Sequence, residues 1–240
     1  MSILDDKSFL NHVSIECVIF GYENNQIKIL ISKLKYKGDF YSLPAGFIYL
    51  EEDCEDAAKR ILVERTAISK IHMEQFKIFG KADRKNKAFF DKLIELNYPD
   101  EDRKKNDPIY KWVTNRFISI GFYALVNIQE VKPQITEIDE SFEWYTIDKI
   151  PNMIMDHNEI IKSAYQSLKE NIDITLSAFK LLPEKFTIAE VQDIYETIFE
   201  KTFIRTNFQK KILDKNVLER LEKKFTGAQN KAPYLYKFKD

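Results

Sequence analysis

Apolar positions fall in runs and stripes that divide the 240-residue chain into a longer first part and a short last part. Val13 to Phe20, spelled Val-Ser-Ile-Glu-Cys-Val-Ile-Phe, predicts a buried strand. Gly21 to Asn25 predicts a turn and Ile27 to Ile31 a second strand, so that the two form a hairpin. From Cys54 to about Arg65 the spacing becomes helical, with Asp53 at the capping position and Asp56 completing an acidic capping box. Gln75 to Gly80 predicts a short strand, Ala88 to Leu96 a short helix, and Asn97 to Pro108 a charged loop. The sheet pattern resumes over Trp112 to Ile128 and is strongest from Phe117 to Val126, where Gly121 marks a bulge or a close approach. Asp156 caps a closing helix that runs through Ala164 and Leu168 to about Glu170.

Asn171 to Asp173 reads as a joint, which gives domains of 1–170 and 171–240. In the second, Thr187-Ile188-Ala189-Glu190 is a capping box, and its helix buries Val191, Ile194, Tyr195 and Ile198 on one face. After a break near Lys201, Thr202 to Leu213 predicts a second helix. Phe203, Ile204, Phe208 and Ile212 are its packing positions, and Arg205, Asn207, Gln209, Lys210 and Lys211 lie on its other faces. Val217 to Lys224 and Ala232 to Phe238 predict a hairpin. Helix, short turn, basic helix and basic hairpin describe a winged helix-turn-helix, whose second helix enters the major groove of double-stranded DNA. Arg205, Asn207 and Gln209 are the candidate base contacts, because Arg bridges guanine acceptors and Asn or Gln pairs with adenine. Lys210, Lys211 and Lys231 are the candidate phosphate anchors. The alternative for this segment is a small helical appendage used for dimerisation.

Composition sharpens the division. Hydrophobic residues make up 44% and charged residues 31% of the chain, as expected of a folded globular protein. The formal net charge of -1 hides an asymmetry: Lys201 to Lys239 holds 11 Lys or Arg against 3 Asp or Glu, a net of +8, which leaves -9 elsewhere. A basic segment on an acidic body points to a phosphate-rich partner, with a solvated basic surface as the plain alternative. Two widely spaced cysteines, Cys17 and Cys54, form neither a disulfide framework nor a thiolate metal motif. Met1 to Ser8 is unlike a secretory signal and no apolar run is long enough to span a bilayer, so the cytoplasm is the expected location.

One stretch carries recognisable chemistry. Gly46, Glu52, Arg60, Leu62, Glu64 and Ile68 match the spacing of the Nudix box, and the chain resembles Nudix hydrolases there. Positions 61, 64 and 65 share one helical turn, where three carboxylates would hold Mg2+ beside a diphosphate. Only Glu64 remains. Ile61 supplies no oxygen, Arg65 places a fixed positive charge where the ion would sit, and Ala67 replaces the family's second Gly. An electropositive patch can hold a phosphate but cannot activate a water. The expectation is therefore a retained frame without metal or cofactor, in which Gly46, Glu52, Arg60, Glu64 and Arg65 contribute to ligand binding.

The resemblance extends to Nudix-related bacterial transcription regulators. It is carried by Met73-Glu74-Gln75-Phe76 through Gly80, by Asp83-Arg84, by Asp156-His157 and by the C-terminal pattern around Leu182-Pro183 and Arg205. It implies an α/β fold: a Nudix α/β/α sandwich with a C-terminal winged helix-turn-helix domain. It implies a homodimeric, ligand-responsive repressor whose effector is a sugar or an ADP-ribose-like metabolite. One branch of these regulators senses ADP-ribose or related nucleotides, and a Bacteroidetes branch is linked to sugar use; the spelling Ile-Leu-Val-Glu-Arg-Thr looks closer to the latter. Residues 85–111 read as an insertion that covers a pocket, forms a dimer contact or is merely solvated. His157 faces a pocket, an interface or the core. The competing functions are a Nudix hydrolase cleaving a nucleoside diphosphate derivative, and a silent binding protein with no DNA target.

Overall fold

The computed structural model describes residues 9–68, 72–84, 86–98, 107–175, 180–224 and 232–239. Its framework is a seven-stranded sheet built on one long strand, β1 (Phe9–Glu23). β2 (Gln26–Leu34) returns antiparallel to the end of β1, with Glu23 opposite Gln26, so the expected hairpin forms. On the other edge β6 (Ile118–Val126) runs parallel to β1, with Ile15 opposite Ile120 and Phe20 opposite Leu125. β5 (His72–Phe79) closes that side against β6. β3 (Tyr41–Ser42) and β7 (Asp139–Thr146) pair with β2, and β4 (Ala45–Tyr49) pairs with the first part of β1.

The alternation along β1 makes two cores. Ile15, Cys17 and Ile19 point to one face, where Ala57, Ala58, Ile61 and Leu62 of α1 (Cys54–Thr66) cover them. Val18 and Phe20 point to the other, where Ile160, Ile161, Ala164 and Leu168 of a long helix (His157–Thr175) cover them. A pleated strand with two buried faces reads as a continuous apolar run, which is why Cys17 to Phe20 shows no polar alternation, while Ser14 and Glu16 before it are buried polar exceptions. Burial pushes the Cys17 thiol up, so it acts as a core hydrophobe. Gly121 is a close approach, as expected: a Cβ there would lie 2.7 Å from the Phe76 ring, and β5 shifts register opposite it, between Gln75 and Lys77.

Three expectations need correction in this part. Asp53 occupies the N-cap of α1 but makes no side-chain cap hydrogen bond. Trp112 does not begin the sheet; it lies in a short helix, α3 (Pro108–Val113), capped by Asp107 with Pro108 in the first turn, and the strand starts at Ile118. The closing helix, numbered α4 here, runs past the expected joint to Thr175. Between β5 and α3 stands α2 (Lys87–Asn97), close to its expected span.

The C-terminal part is a winged helix. α5 (Ile188–Phe199) starts on a complete capping box, with Thr187 Oγ1 accepting from Glu190 N–H and the Glu190 carboxylate accepting from Thr187 N–H. α6 (Arg205–Asp214) follows, then β8 (Leu218–Lys223) and β9 (Tyr234–Phe238) as an antiparallel pair. Phe186 bridges to Tyr236 and ties the approach segment to the wing. α6 starts later than expected. Ile204 is its N-cap, with extended backbone angles, so its side chain leaves the Phe208–Ile212 stripe and is 70% exposed instead of packed.

The two parts share one hydrophobic cluster. Leu168 and Ile172 of α4 belong to the same cluster as Val191, Ile194, Tyr195, Phe208 and Ile212. Tyr165 Oη donates to the Ile198 carbonyl at 3.3 Å, and Lys169 pairs with Glu200 at 2.7 Å.

Candidate functional site

The box loop and helix are held by closely paired charges. Gly46 lies against Ile61, whose side chain would be 2.8 Å from a Cβ at that position, so glycine lets β4 and α1 come together. Ile61 is 1% exposed and belongs to the core under α1. Arg60 forks onto Glu52, with Nε to Oε1 and Nη2 to Oε2 both at 2.8 Å. Nη2 also donates to the Phe47 carbonyl at 2.8 Å, and the guanidinium lies 4.2 Å over the Tyr49 ring. The Arg60 fork holds the Glu52 carboxyl below its ordinary value. Glu64 is half exposed and reaches Arg60 only at 3.5 Å.

Arg65 turns away from this group. Its Nη1 donates to buried Asp139 at 2.8 Å and to Thr136 Oγ1 at 3.1 Å, and Nη2 donates to the Ala45 carbonyl at 3.2 Å. Gly46, Glu52, Arg60 and Glu64 are thus brought together, while Arg65 staples the end of α1 to β7. The position where the Nudix pattern puts a metal-ligating carboxylate, 61, is apolar core, and the cation at 65 is already neutralised. Among the described residues no group of three or more His, Cys, Asp or Glu side chains could hold a metal ion, and no helix is long and apolar enough to cross a membrane.

A cleft of about 1110 Å3 opens elsewhere, between the loop before β3, the end of β5, the first half of α2 and the start of α4. Phe40 of the loop packs edge-on to Phe89 of α2, 5.3 Å between centroids, and Asn97 at the far end of α2 exchanges hydrogen bonds with the Lys37 backbone at 2.9 and 3.1 Å. The insertion therefore supplies a wall of the cleft. At its back Arg84 forks onto Asp156, with Nε to Oδ2 at 2.6 Å and Nη2 to Oδ1 at 2.8 Å, and donates from Nη1 to the Phe117 carbonyl at 3.1 Å. Burial alone would raise the Asp156 carboxyl, but the Arg84 fork holds it below its ordinary value. His157 resolves to the core: it is 1% exposed, and Nδ1 accepts from Leu43 N–H at 3.0 Å.

The pattern along the chain did not bring Arg84 to Asp156, or Glu16 to His157, because each pair closes only when β1, β5 and α4 assemble. A signal for Glu16 was present, a lone acid inside a buried strand.

On the winged helix, Phe208 and Ile212 pack inward while Arg205, Asn207, Gln209, Lys210 and Lys211 are exposed on α6. Lys211 lies 5.8 Å over the Tyr195 ring. Lys231 falls outside the described residues. The wing adds Arg220, stacked 4.3 Å over Tyr234, a cation that helix-face reasoning did not include.

Comparison with known proteins agrees with both halves. Residues 178–238 match the family described as the NrtR DNA-binding winged helix domain. The ADPR responsive transcriptional repressor NtrR of Acinetobacter baylyi is 25% identical over 232 residues, which covers 94% of this chain and 81% of that protein. The fold is similar to that of Shewanella oneidensis NrtR complexed with a 27mer DNA, with a TM-score of 0.71 at 20% identity over 95% of this chain and 94% of the other. It is also similar to a MutT/nudix family protein from Enterococcus faecalis, with a TM-score of 0.67 at 16% identity over 98% of this chain and 88% of the other.

Proposed function

We propose that this chain, which belongs to the NrtR-like family of regulators joining a Nudix domain to a C-terminal winged helix, is a ligand-responsive DNA-binding transcriptional repressor. The observation that carries the proposal is the shared helix α4. Its first turns line the cleft through Asp156, Glu159 and Ser163, and its last turns lie in the cluster that holds the winged helix. A ligand that prefers one setting of α4 thereby prefers one setting of α6, and such differential affinity is what allosteric control requires.

Two copies acting on paired half-sites complete the mechanism, since one winged helix reads a short footprint. Arg205, Asn207 and Gln209 meet base edges, and Lys210, Lys211 and Lys231 meet phosphates. The effector is a sugar or an ADP-ribose-like metabolite seated in the cleft, whose lining includes none of Gly46, Glu52, Arg60, Glu64 and Arg65; these five hold the box in shape. Four cations line the cleft (Lys77, Lys81, Arg84, Lys92) and four carboxylates oppose them (Asp39, Asp83, Asp156, Glu159). That balance favours a hydroxyl-rich ligand over a bare polyphosphate. No step of hydrolysis is assigned, because position 61 is sealed in the core and the cation at 65 is bound to Asp139.

The test is selection of duplexes from a random library by the full chain, followed by titration of the selected duplex with L-arabinose and with ADP-ribose. Binding on the order of a thousandfold above random DNA, relieved by one of the two compounds, is expected. Equal affinity for selected and random duplexes would overturn the reading.

A further inference from the structure

Beneath the cleft lies a polar cluster that neither DNA binding nor the box explains. Glu16 stands midway along β1, opposite Ala45 of β4 and Gly121 of β6, and is 4% exposed. Its Oε1 lies 3.2 Å from Ser14 Oγ and 3.2 Å from Ser119 Oγ, and the two hydroxyls are 2.7 Å apart. Three oxygen–oxygen contacts need three hydrogens. Each serine brings one. The third contact forms only when Oε1 carries a proton. The triangle then closes as a one-way ring: Glu16 O–H donates to one serine, that serine donates to the other, and the second serine donates back to Oε1.

The imidazole fixes the role of the other oxygen. His157 Nδ1 accepts from Leu43 N–H, so the neutral ring carries its hydrogen on Nε2. Nε2 faces Glu16 Oε2 at 3.6 Å, beyond hydrogen-bond reach, and among the described residues neither of these two buried atoms has a hydrogen-bond partner. Oε2 is therefore the bare oxygen turned to an N–H, and the proton belongs on Oε1. The charged and titratable groups facing Glu16 are Arg84, from the loop after β5, and Asp156 and His157, from the start of α4. Ser14 and Ser119 complete its surroundings from β1 and β6.

The geometry points to Glu16 as a buried proton-binding site that sets the state of Arg84. With the proton on, Glu16 is neutral and Arg84 stays forked on Asp156. With the proton off, the Glu16 carboxylate competes for the guanidinium, and the start of α4 loses its clamp. Burial, working against Arg84 and the serines, raises the Glu16 carboxyl to about 7, which puts the exchange near neutrality. Only the regulatory meaning of the site rests on α4 being the link between cleft and winged helix; proton binding stands without it.

Infrared spectra of the full chain at about pH 5.5 and about pH 9, on either side of the raised value, read the protonated carboxyl directly. A C=O band present at the lower pH, lost at the higher and absent from Glu16→Gln is expected. Its absence at both would overturn the site. Denaturant unfolding of the same proteins gives a second measure. A carboxyl raised in the folded state contributes stability below 4.5 that is lost as pH rises through about 7. The folding constant of the unsubstituted chain therefore falls relative to Glu16→Gln by about tenfold per pH unit across that window and levels off above it. Parallel profiles would count against the proposal. Asp156→Asn leaves Arg84 to Glu16, so the band should disappear at a lower pH than in the parent; no shift, or an upward one, would break the link to Arg84. None of these measurements uses DNA, so a failed regulator reading and a failed proton site are told apart.

Discussion

Arg65 shows how one side chain can occupy a family position and change its meaning. Its guanidinium is spent on Asp139, which is 5% exposed and also accepts from Ser32 Oγ. Removing it leaves a buried carboxylate without its cation. Arg65→Ala should cost roughly 3–5 kcal/mol in denaturant unfolding, and a loss within the usual range for a surface substitution would show that the staple is weak. His157 gives a prediction of opposite sign to that for Glu16. Burial lowers its imidazole from 6.5 to about 4, so its contribution to stability is present above 6.5 and is lost as pH falls through about 4. Acid unfolding followed by circular dichroism should show that slope, and His157→Gln, which keeps an acceptor for Leu43 N–H, should flatten it.

At the scale of elements, the proposed reading surface is the second helix of the winged module. Lys210→Ala should weaken selected and random duplexes alike and reduce the salt slope by about one unit. Arg205→Ala should instead cost roughly 1–3 kcal/mol of discrimination. Fluorescence anisotropy at several salt concentrations separates the two, and identical behaviour of both variants would mean that α6 does not read bases. The helices were legible in the sequence where a cap and a stripe agree, as in Thr187 to Ile198, because both signals are local. α6 was misplaced at its start because Ile204 is apolar yet sits at an N-cap, outside the helical stripe. α3 was missed although Asp107-Pro108 is a start signal, since the aromatic Trp112 was read with the strand that follows. The cleft was legible only as one of three roles offered for the insertion at 85–111. Its back wall depends on Arg84 meeting Asp156, a contact between residues 72 apart that no local period encodes.

For the whole molecule, the shared cluster along α4 predicts a single cooperative unfolding event. Calorimetry should give one transition, and Ile172→Ala should lower it by roughly 2–5 kcal/mol without splitting it. Two separate transitions in the unsubstituted chain would show that the parts are energetically independent. The same continuity bears on how such proteins can be recombined. The winged helix rests partly on Tyr165, Lys169 and Ile172, side chains that precede it in the chain. A chimera cut at 176–179 would give a foreign reader the wrong floor. The transferable cassette begins upstream of Tyr165, inside the helix, and a graft made there carries its own seat with it.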